Sequence, residues 1–457
     1  MKPSLPQGTR DFSATTVRKR TYIIDIIKNI FGLYGFEPLE TPSLENLETL
    51  MGKYGEEGDK LIFKILNNGL DHPAKREKAI ASFRNILEGK NDKTITERAL
   101  RYDLTIPFAR YMAMNYGNLT IPFKRYQIQP VWRADRPQKG RYREFLQCDA
   151  DVAGSYSLIS DAEFIEIYKE VFKKLNIEVE IKINSRKILY ALAEACGCID
   201  NINAMTIAID KLDKMGIEKV KEELSTIGLS IENIALIETC INIEGSNKEK
   251  LEKISGLIGF SETGKKGIEE LEYILSLTER TDSNNKQNVT VDFTLARGLN
   301  YYTGIIYEVK AKNVQMGSIG GGGRYDNLTG LFGVPGIPGV GISFGLDRIY
   351  DVMEELNLFP ETINQSTKAL FFNLGKEESE IAFGIMQKLR YMGISCELFY
   401  ESSKLDKQFK YASKKNIAYA VIIGSNEIKE NNCIVKDLAK GIQQTISLDE
   451  LNQFFKN

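Results

Sequence analysis

Apolar side chains recur along the chain with two different periods. Over residues 13–34, Val17, Ile23, Ile24, Ile27, Ile30 and Phe31 fall at helical intervals. This predicts a helix opened by Ser13 or Thr15 and stopped by Gly32 and Gly35. Residues 36–42 (FEPLETP) follow as an extended segment whose two prolines suit a sheet edge. Residues 53–98 are polar and interrupted, with one helical stretch at 75–87. Period-two alternation is clearest over 123–153, which predicts two strands joined by a charged loop at 134–142. On the second strand Glu144, Leu146, Cys148, Ala150 and Val152 share one side, and Arg143, Phe145, Gln147, Asp149 and Asp151 the other. The first strand sets Tyr126, Ile128, Pro130 and Trp132 against Arg125, Gln127, Gln129 and Arg133. A hairpin with one solvated face is one explanation. The other, favoured by the mixture of Phe with Gln, Asp and Arg, is a polar platform for a ligand carrying an anionic centre, a flat ring and an amine.

Four further segments bear on such a platform. RYDLTIP places Asp103 and Thr105 at a strand-to-helix junction, either as a helix cap or as ligand contacts. ARGLNYYTG gathers Arg297, Tyr301 and Tyr302 at a strand end, as a site loop or as a turn with exposed tyrosines. Gly320–Gly323 would let backbone approach a ligand closely, although GxxxxGK[ST] is absent. Near 339–356 a small-residue strand runs into a helix with Arg348 in its first turn, where a cation opposes the helix dipole unless a phosphate also binds. Elsewhere, 161–175 reads as a helix and 176–183 as a strand. Residues 184–286 are Lys/Glu-rich and helical, closed by the polar TDSNNKQ. After a linker near 359–367, a β-α-β-α-β alternation is followed by two short strands and a terminal helix. Lys404, Lys407, Lys410, Lys414 and Lys415 make one of its helices basic, a solvated face or an RNA contact.

Composition narrows the chemistry. A chain of 457 residues with 42% hydrophobic content fills about three domains. Its formal charge of −2 exerts no global pull on nucleic acid, so any RNA contact must come from local basic patches. Six scattered cysteines without a CxxC pair predict buried, reduced thiols. The single histidine, His72, would have to serve any Ser–His–Asp relay or His-based zinc site. No metal site built from protein His or Cys is therefore expected. The chemistry rests on Arg, Asp/Glu, Gln, Tyr and a cation from solution. The N-terminus lacks the apolar core of a signal peptide and no run approaches membrane-spanning length, so a soluble, cytoplasmic protein is expected.

In combination these segments are recognisable. The chain resembles the histidyl-tRNA synthetase family, class II aminoacyl-tRNA synthetases, along essentially its full length. LPQGTRDF matches the family's N-terminal signature and YGFEPLETP its motif 1. WRADRPQKGRYREFLQCDADVAG is similar to motif 2 and GVGISFGLDRI to motif 3, while RGLNYYTGIIYEV and GGGGRYD resemble the two histidine-specific motifs. LRYDLT and CDADVAG look like the eukaryotic-type branch, because a Glu usually stands at the places of Asp103 and Asp151 in the common bacterial one. Asn300 departs from the family's usual Asp.

The resemblance implies an α+β fold. An antiparallel-sheet catalytic domain would span 1–183 and 287–358, with a helical insertion at 184–286 and a C-terminal α/β anticodon-binding domain at 366–457. It implies a homodimer built through motif 1, and ATP with Mg²⁺, L-histidine and tRNA(His) as substrates. No tightly bound prosthetic group and no membrane partner are expected. On the motif match, Arg133 would hold the ATP α-phosphate and act in catalysis with Arg297. Phe145 would stack on adenine, and Asp135, Arg141 and Arg348 would complete the ATP site. Asp103, Thr105 and Gln147 would take the histidine α-amino group, and Asp151 and Tyr302 the imidazole. Leu104, Tyr301 and Tyr325 would finish that pocket. Gln138 and Arg143 would read the tRNA acceptor end. Three competitors are a noncatalytic relative such as the regulatory subunit of a phosphoribosyltransferase, a class II ligase for another amino acid, and a purely RNA-binding protein.

Overall fold

The computed structural model describes residues 2–52, 55–280, 288–296, 301–364 and 367–456. It divides into two compact units, Met1–Phe12 with Arg20–Leu358, and Ser13–Lys19 with Phe359–Asn457.

The larger unit is built on an eight-stranded sheet. Its lateral order is Glu37–Pro38, Phe123–Trp132, Glu144–Ala153, Gly339–Gly345, Gly320–Tyr325, Ile305–Ala311, Val179–Ser185 and Asn288–Val291. The interior pairings are antiparallel, and only the two edge strands pair in parallel. Glu37–Pro38 is one of those edges, where Pro38 withholds no hydrogen bond from a central ladder. The hairpin predicted over 123–153 forms with Arg125 opposite Asp151 and Gln127 opposite Asp149.

Alternation along these strands produces two unlike faces. On one, Tyr126, Cys148, Ala150 and Phe344 are buried. Phe31, on the helix Ala14–Leu33, stacks on Tyr126 with centroids 5.7 Å apart and meets Phe344 at 5.9 Å. That helix buries Ile23, Ile27, Ile30 and Phe31 of the predicted stripe, but leaves Ile24 half-buried and Val17 exposed. Its amino end is capped by Ser13, whose Oγ accepts from the Thr16 amide at 3.3 Å. Gly32 lies inside the helix, and Gly35, at φ 75°, is the residue that turns the chain out of it. Tyr168 and Phe172, from the helix Ile159–Lys174, cover the same face beside Phe344. The opposite face carries the polar residues and opens into a cleft.

A three-stranded sheet of Leu44–Asn46, Arg98–Leu100 and Lys64–Ile65 adjoins this core. Arg101, which follows it, is fully buried and donates to the carbonyls of Thr41 at 2.7 Å and Pro130 at 2.9 Å and to Gln129 Oε1 at 2.9 Å. It ties the proline-containing edge segment to the hairpin. Between 186 and 279 the chain is helical, from Arg186–Ala195 to Glu262–Glu279, and these helices belong to the same compact unit as the sheet. TDSNNKQ (281–287) lies outside the described residues.

The smaller unit holds a five-stranded sheet ordered Cys396–Leu398, Ala369–Phe371, Tyr419–Ile422, Asn432–Asp437 and Gln443–Ser447. Its first three strands are parallel, as β-α-β-α-β alternation requires, and the last two return antiparallel. Successive residues along Ala369–Phe371 and just beyond it feed opposite cores. Phe371 packs with Met386, Leu389 and Phe455, while Leu370 and Phe372 pack with Ala412, Ile417 and Ala420. The five lysines of 404–415 are all exposed.

Candidate active site

Two adjoining cavities, of about 260 and 600 Å³, open on the polar face of the large sheet. They meet at Arg133, Gln147, Ser318, Gly320, Gly321 and Ser343, which line both. The hairpin's polar side is therefore not a solvated face. Arg125, Gln127, Asp149 and Asp151 are 0, 0, 3 and 2% exposed.

In the first cavity the structure brings together Asp103, Thr105, Arg133, Gln147, Asp151, Tyr301, Tyr302 and Tyr325. Asp151 is the most constrained. Its Oδ1 accepts from the Tyr325 hydroxyl at 2.5 Å, and its Oδ2 stands 2.7 Å from Arg125 Nη2 as a buried ion pair. Burial pushes the Asp151 carboxyl up, while Arg125 and the Tyr325 hydrogen bond pull it down. The Tyr325 hydroxyl is itself held well above its usual range by burial and by the facing carboxylate. Asp103 stands both at the helix terminus and in the cavity wall. One oxygen accepts from the Ile106 amide at 3.1 Å and caps the helix Thr105–Asn115, and the other lies 3.4 Å from the Tyr301 hydroxyl. Tyr301 packs edge-on against Tyr302 at 4.9 Å and Tyr325 at 6.1 Å. Leu104 does not line the cavity. Its side chain is fully buried, and its carbonyl accepts from Arg125 Nη2 at 3.3 Å.

Glycines shape this pocket. Gly320–Gly323 lie on the strand Gly320–Tyr325 and the first three of them line the cavity, while protein atoms also pack close to this strand. A Cβ on Gly323 would lie 2.8 Å from the Tyr302 ring, and one on Gly341 would lie 2.0 Å from Asp151 Oδ1. The missing side chains are the space that Tyr302 and Asp151 occupy.

The second cavity gathers Arg133, Asp135, Arg141, Phe145 and Arg348. Arg133 Nε donates to the Tyr102 carbonyl at 3.1 Å, and its guanidinium lies 4.3 Å from the Tyr102 ring and 5.0 Å from the Phe145 ring. The junction of the two cavities thus carries a guanidinium held by one carbonyl and two rings. Arg348, expected to need an anion at its helix terminus, donates to the carbonyls of Gly140 at 2.8 Å and Ser318 at 2.7 Å. Those acceptors fix it, and the dipole is answered instead by its neighbour Asp347 in the first turn of Leu346–Glu355. Asp347 pairs with Arg10 and Arg20 and accepts from the Leu146 amide at 3.1 Å. Arg10 comes from the LPQGTRDF signature and lies 3.3 Å from the Tyr142 ring. Nothing in local periodicity points to this pairing across more than 300 residues.

Gln138 and Arg143 line neither cavity. Gln138 is exposed on the loop between the hairpin strands, where its backbone bridges Arg141. Arg143 sits at the loop's base, its Nε on the Asp135 carbonyl at 3.1 Å. Arg297 and Asn300 lie outside the described residues. The cleft also contains residues to which sequence analysis attached no role, Asp149, Glu308 and Ser343. Asp149 shares the platform face by simple alternation. Its carboxyl is pushed up to about 7, first by burial and then by Asp151, against the pull of Arg125.

His72 takes no part. It is exposed and caps the helix Pro73–Leu87, its Nδ1 accepting from the Ala74 amide at 3.3 Å. All six cysteines are buried free thiols. Among the described residues, no group of three or more His, Cys, Asp or Glu could hold a metal ion, and no helix is long and apolar enough to cross a membrane.

Comparison with known proteins gives this geometry a family. A model described as histidyl-tRNA synthetase matches residues 87–349, and one described as an anticodon binding domain matches 368–457. The histidine–tRNA ligase of Bacteroides fragilis is 51% identical over 98% of this chain and 98% of its own. The crystal structure of histidyl-tRNA synthetase from a Nostoc species is 32% identical, with a TM-score of 0.81 over 100% of this chain and 99% of that one. A Bacillus halodurans structure titled as an ATP phosphoribosyltransferase regulatory subunit/histidyl-tRNA synthetase is 21% identical, with a TM-score of 0.72 over 92% of this chain and 99% of its own, and shares the fold. With half of its residues identical to a full-length ligase and both family models matched in order, the chain belongs to the histidyl-tRNA synthetase family.

Proposed function

We propose that the two cavities hold the two small substrates of histidine–tRNA ligation, the family's reaction, histidine in the first and ATP in the second. The observation that carries this division is Arg133, the cation lining both cavities where they meet. A guanidinium there faces the α-phosphate as the histidine carboxylate attacks it in line and pyrophosphate leaves. A ribose hydroxyl at the 3′ end of tRNA then attacks the aminoacyl carbonyl, releasing AMP. Such chemistry depends on positioning and charge stabilisation more than on a protein nucleophile. Mg²⁺ would enter as the counterion of ATP and offset the charge of its phosphates.

Phe145 stacks on adenine, with Asp135, Arg141 and Arg348 around the nucleotide. Gln147 suits the α-amino group because its Oε1 is buried without a hydrogen-bond partner. Asp103 and Thr105 stand beside it, and Asp151 with Tyr302 faces the imidazole. Arg297 adds a second cation, an assignment that rests on the motif alone. Gln138, exposed on its loop, and Arg143 meet the tRNA acceptor end. Residues 1–183 with 287–358 form the catalytic domain, 184–286 an insertion that embraces the acceptor arm, and 366–457 the anticodon-binding domain, whose exposed lysines at 404–415 offer RNA a basic face. The chain works as a homodimer in the cytoplasm, a compartment that suits its free thiols.

Histidine-dependent exchange of labelled pyrophosphate into ATP tests the assignment. Exchange is expected with histidine and with no other amino acid. An Arg133→Ala variant is expected to lose about 10²–10³ in rate, as for a preorganised oxyanion contact. Unchanged exchange in that variant removes Arg133 from the reaction.

A further inference from the structure

Among the residues lining the first cavity three buried acceptor atoms have no hydrogen-bond partner, Gln147 Oε1, Asp149 Oδ1 and Asp151 Oδ2, and the last of these is held by its ion pair with Arg125. Gln147 and Asp149 both lie beside Ser343 of the neighbouring strand. The Ser343 hydroxyl accepts from Gln147 Nε2 at 2.9 Å, and Ser343 is the strand partner of Asp149. Ser343 therefore occupies the amide nitrogen of Gln147 and leaves its Oε1 bare, next to the bare Oδ1 of Asp149. Asp149 is 3% exposed and lies opposite Gln127 on one side and Ser343 on the other. Asp151, two residues along the same face, differs because Tyr325 and Arg125 engage its two oxygens. Leaving a buried carboxylate oxygen bare is costly, and the cost is recovered when a ligand donates to it.

We propose that Asp149 is a further specificity-determining residue, whose Oδ1 accepts a hydrogen bond from an imidazole N–H of histidine beside Asp151. This rests on the assignment of the first cavity to histidine. Gln147 takes the amino group, and the adjacent bare acceptor, about 6.6 Å further along the strand, takes the next donor that the ligand offers. Apolar amino acids carry no such donor and would leave Asp149 buried and unanswered, which rejects them.

Pyrophosphate exchange is measured on the full chain and on Asp149→Ala and Asp149→Asn, with thermal-shift titrations of each by ATP alone and by histidine alone. Asp149→Ala is expected to raise the KM for histidine about tenfold or more, the penalty of leaving a buried imidazole donor unpaired, with the KM for ATP within about twofold. Asp149→Asn keeps an acceptor oxygen without the charge and should fall between. A histidine KM within about twofold of the parent's in both variants, or equal rises for histidine and ATP, overturns the proposal. Where a variant exchanges too slowly to measure, a retained ATP shift with a lost histidine shift supports it, and loss of both overturns it. A parent chain lacking histidine-dependent exchange would instead sink the assignment of the cavity.

Discussion

Gly341→Ala tests whether the room left by a missing side chain sets the histidine pocket. A Cβ at this position would lie 2.0 Å from Asp151 Oδ1 and 2.6 Å from its Cγ, inside any real contact distance. The next atom, the Ala150 carbonyl oxygen at 3.1 Å, is tight but needs only a few tenths of an ångström. The carboxylate must therefore move by about 1 Å. It is anchored by a 2.5 Å hydrogen bond from Tyr325 and a 2.7 Å ion pair with Arg125, so it cannot move without weakening one of them. Either loss leaves a buried polar group short of a partner, at about 1–3 kcal/mol. We expect a rise of about tenfold or more in the KM for histidine in pyrophosphate exchange, an ATP KM within about twofold, and a lower Tm. The same substitution made on Asp151→Ala should lower Tm by clearly less than on the parent, because the clashing group has gone. A Gly341→Ala chain with the parent's histidine KM and Tm refutes the steric argument. An equal Tm penalty in both backgrounds refutes the attribution to Asp151.

Three other predictions concern Asp151, Gln138 and Asp149. Asp151→Ala should raise the KM for histidine about ten- to hundredfold without moving that for ATP, and equal losses in steady-state exchange would contradict its placement beside the ring. Gln138→Ala should change the ratio at which tRNA with and without the extra 5′ guanosine is charged, and an unchanged ratio in aminoacylation removes this residue from acceptor recognition. Asp149 holds its proton to about 7 in the folded chain against an ordinary 3.8, so between those values the unfolded chain is ionised while the folded one stays protonated. Its contribution is complete below 3.8 and lost as pH rises towards 7. The Tm of Asp149→Asn minus that of the parent, followed by calorimetry without ligands, should therefore grow across that window and level off above it; a difference independent of pH would show that Asp149 does not titrate there.

Much of the architecture was legible before any coordinate. The predicted hairpin, the stripe of Ile23, Ile27, Ile30 and Phe31, the edge placement of the proline segment and the C-terminal β-α-β-α-β order all recur in the structure. Each depends on neighbours in sequence, on a period of 2 or 3.6 or on the conformational limits of proline, and local order is what periodicity records. The resemblance of the motifs supplied the family, which half-identity to a full-length ligase bears out.

What the strand pattern alone determined was a list of side chains facing the same way, Phe145, Gln147, Asp149 and Asp151 on one side of the hairpin. Which of them are already satisfied was decided only by folding. Tyr325 and Arg125 converge on Asp151 from strands 174 and 26 positions distant in the chain, while Ser343 engages the amide nitrogen of Gln147 and a bare acceptor is left on both Gln147 and Asp149. Arg10 likewise reaches Asp347 across 337 positions. A strand's alternation is dictated by backbone geometry over two residues, whereas charge compensation depends on which distant segments the sheet register sets side by side.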